Sequence, residues 1–269
     1  MHHFYRKFIL INILILFSLT DLSICQPGTD NMVKIPAGEF KFLVDYRWRE
    51  GLTLDSLIID DAGYHYRYSE TITLPAYLID KTEVTNKQFK EFLDKSGYKP
   101  SWQENFLKHW EDGDYPSGKG DHPVVWVSVE DAQAYAAWAG KRLPTEYEWQ
   151  KAAQGNDGRD WPWGNIYDPD KANMDSRDTK PVGSYPEGAS PYGCLDMTGN
   201  VWEWTNSVQT DGYHYYCWVR GGSYYFAKGS RWYMQGGPVT NYQRTKFWLM
   251  TPALNRSSSI GFRCVKDVE

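Results

Sequence analysis

From Gly155 to the C-terminus this chain carries little helical signal. Pro, Gly, Asn and Asp cut that stretch into short apolar pieces, without the 3.6-residue spacing an amphipathic helix needs. Such a segment has to be built from short strands and loops. Its best strand candidates are Val201 to Trp204, Trp218 to Arg220 and Ile260 to Val265.

Helices are expected only upstream. Thr85 is placed to cap a helix whose Phe89, Phe92 and Leu93 share one face, ending at Gly97. Ser128 with Asp131 outlines a capping box before Ala132, Tyr135, Ala136 and Trp138, with a stop near Gly140. Thr145 with Glu148 is a full capping-box pair, opening a helix through Trp149, Ala152 and Ala153 to Gly155. Earlier still, Met32 to Phe40 reads as a strand, a Pro-Gly turn and a second strand start. Residues 41–69 show no helical period, Thr71 to Leu74 reads as a strand, and Tyr77 to Asp80 continues the sheet. Residues 103–121 read as a surface loop. Few helices among short strands predict an α+β domain. The 13 Trp, 20 Tyr and 11 Phe are its core-forming stock, because large aromatics are mostly buried.

The first 25 residues stand apart. Arg6 and Lys7 precede an apolar run from Phe8 to Thr20, shorter than the ~20 residues that span a bilayer. Ser23 and Cys25 suit the −3 and −1 positions of a signal peptidase, which predicts export and a mature start near Gln26, leaving 26–269 as the folded domain. Ile24 disfavours a lipidated Cys25. Residues 1–25 hold Arg6, Lys7 and Asp21, so of 29 basic and 34 acidic residues the mature part keeps 27 and 33, a net charge of −6. That balance offers no electrostatic case for nucleic acid or an anionic membrane. Cys194, Cys217 and Cys264 remain after cleavage. In an exported protein they form either one disulfide, with three choices of pair, or a set of buried thiols.

Nine blocks in fixed order carry a family resemblance: Met32–Phe40, Tyr77–Asn86, His122–Ser128, Arg142–Trp149, Trp163–Asn165, Pro181–Tyr185, Gly199–Trp204, Arg220–Ser223 and Gly261–Cys264. The runs Leu143-Pro144-Thr145-Glu146-Tyr147-Glu148-Trp149 and Gly199-Asn200-Val201-Trp202-Glu203-Trp204 are the most specific. Together they resemble the formylglycine-generating-enzyme (sulfatase-modifying-factor) superfamily over nearly all of residues 30–267. The resemblance implies a single loop-rich α+β fold related to that of C-type lectins.

It also implies where chemistry would sit. The family's oxidases hold copper through two thiolates, three and eight residues after the serine of the Arg220-Gly221-Gly222-Ser223 run. Here those places are Phe226 and Arg231. Neither side chain can bind Cu(I) as a soft thiolate does, so no copper is expected. Ser223 lacks a nearby base signature, and Trp202 is the other residue of the implied groove. An iron-dependent branch of the superfamily needs a His-rich motif. His65, His109, His122 and His214 are scattered, so no iron is expected either.

Structural Ca²⁺ is the cofactor the resemblance supplies, through Asp196, the Gly199 and Val201 carbonyls and Glu203. Two carboxylates and two carbonyls in eight residues suit a hard cation. Alternatively, Asp196 and Glu203 cap turns or meet Arg. A second family site maps to Asn173, Met174 and Asp178 (or Asp175), on a loop that is shortened here.

Arg220 and Arg263 are read as donors to buried carbonyls, and Trp202 and Trp204 as facing opposite sides of a strand, so that only one need be core. The resulting expectation is a non-catalytic, exported binding or scaffold module. A protein or glycan ligand would be met by Trp232, Tyr233, Tyr242, Phe247 and Trp248 in the segment from Phe226 to Asn255. The alternative is a formylglycine-type oxidase or a non-haem oxygenase acting on a protein cysteine or small thiol.

Overall fold

The computed structural model describes residues 31–47, 57–60, 63–210, 212–225, 237 and 239–268. The expected leader, residues 1–25, lies outside them, as do Phe226, Arg231, Trp232 and Tyr233.

Three helices form where the caps predict them. α1 (Asn86–Ser96) is opened by the Thr85 hydroxyl accepting from Gln88 N, with Gln88 returning the bond, and closes at Gly97 in the left-handed conformation. α2 (Val129–Trp138) and α3 (Glu146–Gln154) start with reciprocal boxes, Ser128/Asp131 and Thr145/Glu148. The Gln88 half of the first box completes what Thr85 alone suggested.

The strands are β1 (Met32–Ile35), β2 (Gly38–Arg47), β3 (Leu57–Asp60), β4 (Gly63–Leu74), β5 (Tyr77–Asp80), β6 (Trp202–Thr210), β7 (Tyr215–Arg220), β8 (Arg244–Leu249), β9 (Ile260–Gly261) and β10 (Val265–Asp267). Among the described residues they make three sheets, ordered β1-β5-β10, β2-β4-β3 and β8-β7-β6-β9. All pairs are antiparallel except β6 with β9. Residues 41–69, read as lacking a helical period, hold no helix among the described residues and carry strands the sequence reading did not place. β2 and β4 run side by side from Gly38↔Leu74 to Arg47↔His65, and β3 pairs with β4. The expected strand from Ile260 to Val265 is two short strands, because Arg142 pairs with Val265 after the chain has left β6.

α1 and α2 pack on β6 and β7. Phe89 stacks on Tyr135 at 5.8 Å and meets Phe262 edge-on at 6.3 Å. A second core places Trp149, Ala152 and Ala153 of α3 against Ile35, Tyr77 and Ile79. Trp202 and Trp204 are both buried, which corrects the expectation that only one would be. Residues two apart on a strand share a face, so both indoles enter the same core, where the Trp204 indole N–H donates to Val127 O at 3.0 Å.

Candidate functional site

Arg220 ends β7 and its side chain is fully buried. It donates to Gln150 Oε1 at 2.9 Å and to Asn241 O at 2.6 Å, lies against the Trp149 ring, and has Glu146 at 3.8 Å. Burial pulls its guanidinium down to about 9. Glu146 is held mainly by Arg244, whose guanidinium lies 3.6 Å from the centre of the Trp218 ring. Gly222 has φ +76°, and a Cβ there would stand 2.5 Å from Gly237 O. Close backbone approach is therefore why glycine occupies this position. Ser223 is buried, and its hydroxyl donates to Tyr225 O at 3.3 Å, within its own turn. That bond gives it a place in the fold and no base to activate it.

Beneath this run lies a buried acid cluster. Glu203 grips Arg263 in a two-pronged ion pair, 2.7 Å at each oxygen, and Glu203 Oε2 also accepts from Trp149 Nε1 at 2.8 Å. The rest of the Arg263 fork donates to the carbonyls of Asp80, Lys81 and Leu195. Arg263 thus does bind carbonyls as expected, and also the carboxylate that the calcium expectation reserved for a metal. Asp196, at φ +57°, accepts from Gly183 N at 2.6 Å. Glu83 accepts from Asn200 Nδ2 on one oxygen, and its carboxyl lies within hydrogen-bonding reach of Asp196. Burial raises both the Glu83 and Asp196 carboxyls, and their mutual charge raises Glu83 further. Gly199 N donates to Gly221 O, which ties the Gly199–Trp204 block to the Arg220–Ser223 run. Val201 is fully buried.

Glu203 does not fit a calcium ligand in this arrangement, because a cation held through it has to displace Arg263. Among the described residues no group of three or more His, Cys, Asp or Glu side chains is placed to hold a metal. At the second implied site, Asn173 Oδ1 accepts from Ser176 and its amide donates to Asn200 and to Asp178 O. The Asp178 carboxylate pairs with Lys119 at 2.7 Å. Met174 is packed near Gly199, where a Cβ would meet its Cγ at 3.1 Å.

All three described cysteines are free and buried. Burial pushes the Cys194 thiol up to about 11, Cys217 to about 12 and Cys264 well above its usual value. Buried thiols, one of the two alternatives, is therefore the observed state. Of the aromatic segment, Phe247 packs edge-on against Trp204 at 5.0 Å, while Trp248 is 42% exposed and stacks on His214. His122 is a loop residue, its Nδ1 2.8 Å from Thr179 Oγ1.

The sequence reading missed Glu83, and it gave an Arg as the alternative partner of Glu203 without naming Arg263. The signal for Glu83 was present in the Asp80–Asn86 block, where an acid stands amid residues that must be buried. The pairing had no local signal.

This is a formylglycine-generating-enzyme-like fold. The structure is similar to that of CarF, with TM-score 0.60 at 23% identity, covering 88% of this chain and 98% of CarF. It is equally similar to PvdO from Pseudomonas aeruginosa, with TM-score 0.60 at 23% identity over 88% and 94% of the two chains. At that identity the likeness shows the fold alone. Residues 22–268 match the sulfatase-modifying factor enzyme 1-like domain, and the chain belongs to that family. Relatives include a hercynine oxygenase of Mycolicibacterium smegmatis, 37% identical over 210 residues, covering 68% of this chain and 47% of the relative. Another is the inactive C-alpha-formylglycine-generating enzyme 2 of Bos taurus, 32% identical over 250 residues, covering 74% and 77%. The chain spans less than half the length of the hercynine oxygenases of M. smegmatis and Mycobacterium tuberculosis (47% and 40%).

Proposed function

We propose that this protein is a non-catalytic member of the family, exported to the periplasm, cell surface or medium, and works there as a binding or scaffold module for a protein or glycan ligand. The observation that carries this reading is the pair Phe226 and Arg231 at the two thiolate positions. The burial of Cys194, Cys217 and Cys264 supports it, since thiols held protonated inside the fold are poor Cu(I) ligands. Sequence similarity to an inactive formylglycine-generating enzyme is compatible with it. A rigid frame carrying many loops is a common way for such a fold to acquire a binding role.

The test is copper and iron stoichiometry on the purified protein, with O₂ uptake measured over a cysteine peptide and a small thiol. No stoichiometric Cu(I) or Fe(II) and no uptake is the expected result. One metal per chain with O₂ consumed on either substrate overturns the reading. The second reading, an oxygenase, draws on the similarity to hercynine oxygenases. It requires metal ligands that the scattered histidines of this chain do not supply, so iron binding by this chain alone is the decisive measurement. Structural calcium at Asp196, Gly199, Val201 and Glu203, the alternative the family resemblance implies, would have to displace the Arg263 fork on Glu203.

A further inference from the structure

A cavity of about 240 Å³ opens beside the start of α1, lined by Asn86, His109, Lys119, His122, Trp126 and Tyr224 among others. Its lining includes Tyr224, the residue after Ser223, and Asp178, and holds none of the buried acids Glu83, Asp196 and Glu203. Two polar atoms of its lining lack partners. Asn86 is 2% exposed, and its amide nitrogen donates to Lys119 O at 2.9 Å. Its Oδ1 is buried with nothing to accept from, and so is His109 Nδ1. Buried side-chain oxygens and ring nitrogens are ordinarily paired, and an orphan facing a void marks a place for a ligand or water.

The backbone around the cavity is also strained. Trp126 and Leu107 adopt φ +60° and +48°, and Leu107 N donates to Trp126 O at 3.0 Å. Left-handed conformations at bulky residues persist where the surrounding fold imposes them, and they gather at binding sites. Here they set the Trp126 wall of the cavity.

The lining balances its charge. Burial drives His109 down to about 4 and lowers His122 as well, so both imidazoles are neutral at pH 7. Lys119 and Asp178 cancel each other as an ion pair at 2.7 Å. Pro116, Pro123, Val125 and the Trp126 ring supply apolar wall. A charged ligand would find no opposite charge left over. An uncharged one bearing an N–H or O–H donor would satisfy Asn86 Oδ1. The volume is roughly that of eight liquid waters, below the usual range of sites for drug-sized molecules.

We propose that this cavity binds an uncharged, hydroxyl- or amide-bearing group about the size of one sugar ring, with Asn86 Oδ1 accepting from it and His109 Nδ1 completing the contact.

The test is titration of the exported chain with N-acetylglucosamine, glucose and propanamide as neutral probes, and with glucosamine and gluconate as charged ones. Calorimetry and the His109 imidazole proton signals report binding. Glucose and propanamide separate the hydroxyl source from the amide source. A saturable response to a neutral probe in the millimolar range is expected, weakened about tenfold or more in His109→Phe, which removes the Nδ1 contact. Asn86→Ser serves as a second variant with the same expected loss. The proposal is overturned if no neutral probe gives a saturable response up to ~100 mM, which would mean the cavity holds water only. It is equally overturned if the charged probes bind as tightly, or if a folded His109→Phe protein binds like wild type.

Discussion

Replacing Glu203 by Gln tests whether Arg263 or a metal neutralises the buried acid. The substitution keeps volume and removes one charge. Gln Oε1 still accepts from Trp149 Nε1, and Arg263 keeps the carbonyls of Asp80, Lys81 and Leu195. What is lost is the carboxylate that meets the guanidinium at 2.7 Å on both prongs, with both side chains 0% exposed. Breaking a buried ion pair from one side costs about 3–5 kcal/mol. The three surviving carbonyls place the cost near the lower end, about 3 kcal/mol. For a domain of this size 1 kcal/mol moves Tm by about 2–4 °C, so Glu203→Gln should melt roughly 6–12 °C below wild type. Circular dichroism melts at pH 7 measure this, with and without EDTA and at low and high salt. EDTA and salt should leave the wild-type Tm in place, because the pair is internal and unscreened. A Glu203→Gln protein melting within about 2 °C of wild type would refute the ion-pair argument. An EDTA-induced drop in wild type that vanishes in the mutant would return the site to calcium.

Other outcomes follow from the same structure. His109 has a folded value near 4, below its ordinary 6.5. Its neutral form is therefore favoured on folding, and that stability is full above pH ~6.5 and lost as pH falls toward 4. His109→Gln should flatten this acid limb by about 1–2 kcal/mol, the full shift being reduced by solvent screening of the half-buried ring, in denaturant titrations run across the window, with Asp178 and Lys119 as the charges acting on the ring. Cys194, Cys217 and Cys264 should resist a thiol reagent in the native protein and react once it is unfolded, as read by absorbance. Gly222→Ala places a methyl 2.5 Å from Gly237 O at φ +76°, and should cost about 2–3 kcal/mol in urea melts. Thr145→Ala removes the α3 cap and should cost about 1 kcal/mol.

How much could be read along the chain depended on the distance over which each feature is made. Capping boxes close within four residues, so Thr85, Ser128 and Thr145 announced their helices and the glycines at 97 and 155 ended two of them. Strand β8 was missed because Arg244-Thr245-Lys246-Phe247-Trp248-Leu249 does not alternate, and it is a strand only through its pairing with β7. The long β2–β4 ribbon was missed for the same reason, since its register joins residues on either side of a long connection. Trp204 stands two residues from Trp202 and so shares its face of β6, against the expectation that the two would part. It is core because Val127 O and Phe247 happen to cover its side of the sheet.

The sequence alone determined the family, the helix positions and the absence of cysteine at positions 226 and 231, because each is written in residue identity at fixed spacing. Tertiary structure decided the rest. It set Arg263 on Glu203 across sixty residues, kept three cysteines apart and buried, and gathered Asn86, His109 and Trp126 around one cavity. Pairings of that reach depend on how loops return to the frame. Burial then turns an ordinary Arg, Glu or His into a group whose charge state and partners are constrained.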